Sequence, residues 1–352
     1  MQAIAEQFRE QIRAAGAAGT PLRIRGGGSK DWYGQALHGD VLATRSYSGV
    51  VAYEPTELVI TVRCGTPLAE IETLLAQHGQ MLAFEPPRFG PESTIGGVVA
   101  AALSGPRRAS AGAVRDFVLG AVLMDGHGEA LRFGGQVMKN VAGYDVSRLL
   151  AGSLGTLGLI LEVSLKVLPL PLREATLRLE MNEIDALRHL NEWAGQPLPV
   201  SASCWHQGVL TIRLSGAEAA VTAAQRKLGG SAVAPAEGCA FWASLRDQKH
   251  GYFSGSMLWR LSLPSHASAM ILGGEQLIEW GGAQRWLVTG DAVDAAAIRR
   301  SAAAVGGHAT LYRATDKSAG AFHPLPAALM KIHERLKRAF DPAGIFNPGR
   351  MY

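Results

Sequence analysis

The most regular stretch of the chain alternates Leu161, Val163, Leu165 and Val167 with Glu162, Ser164 and Lys166, and is ended by Pro169 and Pro171. A period of two is the pattern of a half-buried strand. At the start of the chain the period changes. In "MQAIAEQFREQIRAAGAAGTP" apolar residues recur at helical spacing with acids between them, which predicts a surface helix and not a signal peptide. Leu22 to Arg25 reads as a short strand, and Val98 to Leu103 as a helix of small residues. "VLGAVLMDGHGEALRFGG" reads as strand, Asp125-Gly126 turn, strand, because Asp-Gly tolerates the positive φ that hairpin turns need.

From Ala175 the texture becomes one of short strands and helices in a definite order. "ATLRLEM", "NEIDALRHLNEWAG", "VSASCWH", "GVLTIRLS", "GAEAAVTAAQRKLGG" and "SAVAP" spell βαββαβ, the split unit of a ferredoxin-like sheet. A second copy follows in "SMLWRLSLP", a helix near His266 to Ile271, "EQLIEWGG", "QRWLVTG", "DAVDAAAIRRSAAAVGG" and "HATLYRA". Two such units can join into one antiparallel sheet covered by helices.

Composition narrows the classes. The 352 residues, 47% hydrophobic and 18% charged, are enough for two or three domains with cores of their own. No stretch approaches the roughly 18 uninterrupted apolar residues of a membrane span. Cys64, Cys204 and Cys239 are scattered without a C-x-x-C pair, which disfavours a disulfide framework or a metal or iron–sulfur cluster and fits a reducing cytoplasm. The net charge of +4 comes from 34 basic and 30 acidic residues mixed along the chain, with no basic block to suggest nucleic acid.

Glycine carries the candidate chemistry. Gly26, Gly27 and Gly28 follow the first strand, where successive amides can form an anion nest. Thr94 to Gly97 enter the small-residue helix, and Gly152, Gly155 and Gly158 recur every third residue before the alternating strand. That last run reads either as tight packing of a turn on a strand or as a cofactor pressed against bare backbone. Neither G-x-G-x-x-G opening a helix nor G-x-x-x-x-G-K-[ST] occurs, so Rossmann and P-loop readings lack their fingerprint. Three separated glycine regions favour a long, extended ligand.

"RGGGS", "ESTIGG", "RDFVLG", "VMKNVAGYDVSRLLAGSLGTLGLILEVSLKVLP" and "LKRAFDPAGIFNPGRM" together resemble the FAD-binding (E) subunits of bacterial glycolate oxidases, in the vanillyl-alcohol oxidase and p-cresol methylhydroxylase flavoprotein superfamily. The resemblance runs from the first glycine loop to the C-terminus. It implies an α+β fold: a two-subdomain FAD-binding domain of the p-cresol methylhydroxylase (PCMH) type over residues 1–172, a cap domain with a duplicated ferredoxin-like α/β-plait over 173–325, and a helix and tail, 326–352, returning to the FAD domain. By the same resemblance Arg25, Gly26, Gly27, Gly28 and Ser29 would wrap the FAD pyrophosphate. Thr94, Ile95, Gly96 and Gly97 with Ser104 and Gly105 would run along the pyrophosphate and flavin edge, and Gly155, Gly158 and Ile160 would approach the rest of the dinucleotide. Ser29 stands where some relatives carry a histidine bonded to flavin, so the FAD is expected to be non-covalent.

The helix "CAFWASLRDQKHGYF" reads on its own as a linker with an anchoring aromatic, Trp242, and a solvated cation, Arg246. Related flavin dehydrogenases of D-2-hydroxy acids have a similar helix with a tryptophan shortly before an arginine, here Trp242-x-x-x-Arg246, and the resemblance makes Arg246, assisted by Arg260, the anchor of a substrate carboxylate, a task that suits a guanidinium fork. The H-x-G-D-G-N-x-H metal motif of those enzymes is absent: the corresponding Gly281–Val288 region is "GGAQRWLV", so no metal is expected.

The resemblance implies an FAD subunit that oxidises glycolate or D-lactate to the 2-oxo acid only together with a second flavin subunit and an iron–sulfur subunit. The complex would be cytoplasmic, reaching the inner membrane through partners. A self-sufficient oxidase using His250, His323 or Tyr252 as base, and a non-catalytic assembly scaffold, are the alternatives.

Overall fold

The structure is a computed structural model that describes residues 1–135, 145–290 and 293–351. The expected Lys139–Tyr144 part of the third glycine segment lies outside the described residues, as do Asp291 and Ala292 of the second βαββαβ copy. The chain forms two compact units, Met1–Leu103 with Ala113–Pro169 and Pro324–Tyr352, and Ser104–Gly112 with Leu170–His323.

In chain order the strands of the first unit are β1 (Leu22–Arg25), β2 (Asp40–Ala43), β3 (Val50–Glu54), β4 (Val59–Arg63), β5 (Gln80–Met81), β6 (Val118–Met124), β7 (Ala130–Gly134), β8 (Leu159–Lys166) and β9 (Leu168–Pro169). Among the described residues the main sheet runs β3-β4-β8-β6-β7, antiparallel throughout, while β1 pairs with β2 in parallel. The alternating strand is therefore β8, at the centre of the sheet. It is more buried than its pattern suggests: Ser164, on the expected polar face, is covered, and its hydroxyl meets that of its cross-strand partner Thr61 at 2.8 Å. A satisfied hydroxyl pair lets a polar position enter a core. The N-terminal helix, Gln2–Ala18, buries Phe8, Ile12 and Ala15 on one stripe and stops at Gly19, whose φ of 65° caps it.

Two local expectations change. The small-residue helix spans Ile95–Ala101, starting three residues earlier than expected and ending where Ala102 turns left-handed at φ 49°. The turn between β6 and β7 is longer than an Asp-Gly pair. Asp125 Oδ1 accepts the amides of His127 and Glu129, both at 2.9 Å, and the positive φ belongs to Gly128, not Gly126.

The second unit holds β10 (Arg173–Glu180), β11 (Val200–His206), β12 (Val209–Gly216), β13 (Ser231–Val233), β14 (Met257–Ser262), β15 (Glu275–Glu279), β16 (Gln284–Thr289) and β17 (His308–Arg313). They make one sheet in the order β13-β10-β12-β11-β15-β16-β14-β17. Each half has the order of a ferredoxin-like unit, and the halves join where β11 pairs antiparallel with β15. One apolar cluster lies under each half: Leu177, Leu190, Leu210, Ile212 and Val221 in the first, Trp259, Leu261, Leu287, Ile298 and Leu311 in the second.

The helix expected near His266 to Ile271 does not form. Arg285, fully buried on β16, donates to the carbonyls of Ala267 and Ser268, and to that of Gly282 at 3.4 Å. Those first two carbonyls would otherwise open the helix, and Gly273 and Gly274 follow at once, so the connection from β14 to β15 stays irregular.

Candidate cofactor site

The first unit contains two adjoining cavities of about 400 and 520 Å³ that share Ile24, Gly26, Gly97, Ala100, Leu154 and Asn347 in their walls. Most of the expected glycines come together here. Gly26, Gly96, Gly97, Gly155, Gly158 and Ile160 line the first cavity, and Arg25 to Ser29 with Thr94 and Gly97 line the second. Ile95 is fully buried at the start of its helix, next to this wall.

The reason for each glycine differs. A side chain on Gly26 would overlap Thr94 Oγ1, and one on Gly27 would overlap the carbonyl of Glu92, so the glycine loop lies directly against the segment that leads into the small-residue helix. Gly28 has φ 72° with the Arg25 guanidinium where its side chain would go. Gly155 and Gly158, at φ 71° and 146°, press on Asn347 Nδ2 and the Met124 carbonyl. At these positions bare backbone serves close contact between protein segments, so the tight-packing reading of the third glycine run holds. Gly97 is the exception: the nearest atom to a Cβ there is Thr94 Oγ1 at 3.6 Å, an ordinary contact, and the space beyond belongs to the cavities.

Ser104 and Gly105 are not part of this wall. The segment Ser104–Gly112 groups with the second unit, where the Trp280 indole donates to the Gly105 carbonyl at 3.1 Å and the Arg108 guanidinium sits 4.4 Å from the Trp280 ring centre. Ser110 donates to the Ser201 carbonyl at 3.1 Å, and Arg107 pairs with Glu174.

Several wall residues were not expected. Lys30 lines the second cavity, its Nζ donating to Ser93 Oγ at 2.9 Å, and burial lowers its amine to about 8. Asn347 accepts the Ile24 amide at 3.0 Å and donates to the Leu154 carbonyl at 2.6 Å, tying β1 to the third glycine loop. Arg350, 5% exposed and lowered to about 10 by burial, donates to the carbonyls of Gln35, Asp31 and Lys30 and so holds the exit of the first glycine loop. Behind them Lys337 donates to the carbonyls of Thr156 and Phe346, each at 2.7 Å, and pairs with buried Asp341. The ending "LKRAFDPAGIFNPGRM" carried the signal for Lys337, Asn347 and Arg350, and nothing in the sequence marked Lys30. That ending reads in sequence as a family mark and becomes a clasp only once folded.

The second unit holds the expected carboxylate anchors. Arg246 ends the helix Pro235–Arg246 and points its fork at Asp247, with Nε to Oδ1 at 3.0 Å and Nη2 to Oδ2 at 2.8 Å. Its helix is fixed by buried Trp242, which donates to Thr176 Oγ1 at 3.0 Å. Arg260 lies on β14 with its guanidinium 5.5 Å from the Tyr312 ring centre, opposite Trp286 on β16 and Thr310 on β17. On the same sheet buried Glu279 accepts from the indole of Trp286 at 2.6 Å and from Gln284 at 3.1 Å.

The alternative bases are engaged otherwise. Tyr252 donates its hydroxyl to the Glu275 carbonyl at 2.8 Å, and burial pushes its ionisation far above the usual phenol value. His250 Nδ1 accepts the Tyr252 amide at 3.3 Å, and His323 Nδ1 that of Ala309 at 3.4 Å. Among the described residues no group of three or more His, Cys, Asp or Glu side chains could hold a metal ion.

A family model described as an FAD binding domain matches residues 3–134. The chain is 51% identical to the glycolate oxidase subunit GlcE of Escherichia coli (strain K12) over 344 residues, covering 97% of this chain and 96% of that protein. It is 34% identical to glycolate oxidase subunit GlcD of Bacillus subtilis over 149 residues, 42% of this chain and 31% of that one. A D-lactate dehydrogenase of Archaeoglobus fulgidus is 30% identical over 173 residues, 47% and 37% of the two chains. Among solved structures an alkyldihydroxyacetonephosphate synthase superposes with a TM-score of 0.66 at 15% identity over 97% of this chain and 75% of its own, a likeness of fold.

Proposed function

The chain belongs to the GlcE family of glycolate oxidase subunits, and from that premise we propose that it is the FAD-binding subunit of a multisubunit oxidase acting on glycolate or D-lactate. The observation that carries the reading is the pair of adjoining cavities walled by three glycine segments. FAD fits the donor set: Gly97 leaves its side of the wall open, and Arg25, Lys30 and Arg350 place cations around the loop proposed for the diphosphate. Bound there, FAD supplies the two-electron acceptor for oxidation of the α-carbon. Ser29, a hydroxyl rather than an imidazole, leaves the cofactor non-covalently held.

The chain's own residues would bind and orient. Arg260, and Arg246 in exchange for its contact with Asp247, would anchor the substrate carboxylate through paired donors. Oxidation of the hydroxyl also needs a proton acceptor. The described residues offer no metal cluster, and His250, His323 and Tyr252 are held by backbone groups. We therefore assign the proton-abstracting apparatus to a second flavin subunit and the onward transfer of electrons to an iron–sulfur subunit. No helix among the described residues is long and apolar enough to cross a membrane, so in this reading a cytoplasmic complex meets the inner membrane through its partners.

The test is the visible spectrum of the purified chain, recorded without oxygen before and after addition of glycolate. A flavin band that persists with the chain alone and bleaches in the reconstituted complex is the expected result. Bleaching of the chain alone would favour the self-sufficient oxidase, and a chain that takes up no flavin would favour the scaffold.

A further inference from the structure

Lys30 differs from the other charged residues of the cavity wall in having no acid for company. Its Nζ reaches the hydroxyls of Ser93 at 2.9 Å and Ser29 at 3.4 Å and stands 5.7 Å from the ring centre of Phe89. The charges around it are otherwise committed. On its own loop Arg25 and Asp31 pair with each other at 2.9 Å, Glu92 on the facing segment pairs with Arg45, and Arg350 of the tail donates to backbone carbonyls. Among the described residues no carboxylate pairs with Lys30, while Arg25 and Arg350 share its cavity. Burial lowers its amine to about 8, so a fraction is already neutral in mildly basic solution.

A half-buried cation of this kind, set in a glycine-walled cavity, is suited to an anion that arrives from outside. We propose that Lys30 is the counter-charge for the diphosphate of FAD and that cofactor binding is coupled to proton uptake at this amine. The inference rests on the assignment of Arg25 to Ser29 as the diphosphate loop. An anion beside the amine favours its charged form, so the bound state holds the proton to higher pH than the free state. FAD affinity is then constant below about pH 8 and falls above it, by up to about tenfold per pH unit, until the pKa of the bound state is reached.

Isothermal titration of flavin-depleted full-length chain with FAD at pH 8, in two buffers of different ionisation enthalpy, reads the proton directly. The expected uptake is about half a proton per FAD at pH 8 and more at pH 9. Riboflavin, which lacks phosphate, is expected to bind without uptake. In Lys30→Arg the charge is permanent, so FAD binding is retained and uptake vanishes. In Lys30→Gln uptake vanishes and affinity for FAD drops at least about tenfold, the scale of one lost charge-assisted contact. FAD binding to the wild-type chain without proton uptake, or undiminished uptake in Lys30→Arg, would overturn the proposal while leaving the cofactor assignment intact. A wild-type chain that binds no FAD at all would remove the loop assignment and this proposal together.

Discussion

Asn347 and Leu154 are 193 residues apart in the chain, yet the amide of the first donates to the carbonyl of the second at 2.6 Å. The other end of the same side chain accepts the Ile24 amide, so one residue of the C-terminal tail spans the first and third glycine segments. Asn347→Ala would leave both backbone groups without this partner, at a cost of about 1–3 kcal/mol each where water cannot replace it. The expected outcome is a lower melting temperature and weaker FAD retention, measured by thermal unfolding and by flavin content after gel filtration. Wild-type flavin retention would show that the tail does not hold the site.

The glycines separate into two kinds under substitution. Gly97→Val puts a branched side chain into open cavity space, so flavin content should fall to near zero while the flavin-free chain melts close to wild type. Gly26→Val instead overlaps Thr94, and the flavin-free chain itself should be destabilised. If the two variants behaved alike, the distinction between cofactor clearance and backbone packing would fail.

Glu174 gives the second unit a pH-sensitive tie. Burial acts to raise its carboxyl, but the Ser215 hydroxyl and the guanidinium groups of Arg213 and Arg107 outweigh that and hold it below the usual glutamate value. A carboxyl lowered by folding contributes stability above its unfolded pKa, about 4.3, and loses that contribution as pH falls through the folded value. Glu174→Gln should be less stable than wild type at pH 7 and show a shallower fall in melting temperature on acidification below about pH 4.3. Parallel curves for the two proteins would exclude this tie.

For the substrate anchors, Arg260→Ala in the assembled complex should raise KM for glycolate by about ten- to a hundredfold, the scale of a lost charged hydrogen-bond pair, with flavin content unchanged. Arg246→Ala is expected to have the smaller effect, because its fork already faces Asp247. Unchanged KM in both variants would move carboxylate binding to another subunit.

Much of this architecture is legible in local pattern. The alternation around Leu161 to Val167, the stripe Phe8, Ile12 and Ala15, and the succession of strands and helices along the second unit, the segment after His266 apart, each follow from spacing. The misread places are those where a distant residue decides. The apolar run after His266 is helix-like in sequence, but the buried Arg285 captures its carbonyls, and an arginine seventeen or more residues away leaves no local trace. The same holds at the cofactor site. The glycine segments announce themselves, whereas Lys30, Asn347 and Arg350 gain meaning only when the tail returns to the loops. Gly126 illustrates the limit of a dipeptide rule: it is placed by packing against Asp341, and Gly128 makes the turn.

The pairing of β11 with β15 has a consequence for how the second unit is built. Each is the second strand of its own half, and the sheet order reads the same outward from that pair in both directions. Two equal halves meeting through the same element, antiparallel, is the arrangement of a two-fold symmetric dimer, here written into one polypeptide. The join closes two edges that separate halves would leave open to pairing with any other strand, so the linker between the halves also protects the chain from aggregation. Permanent covalent association further lets the halves diverge. The first half has the helix Glu183–Ala194 between β10 and β11, whereas the second joins β14 to β15 by an irregular segment that the buried Arg285 holds.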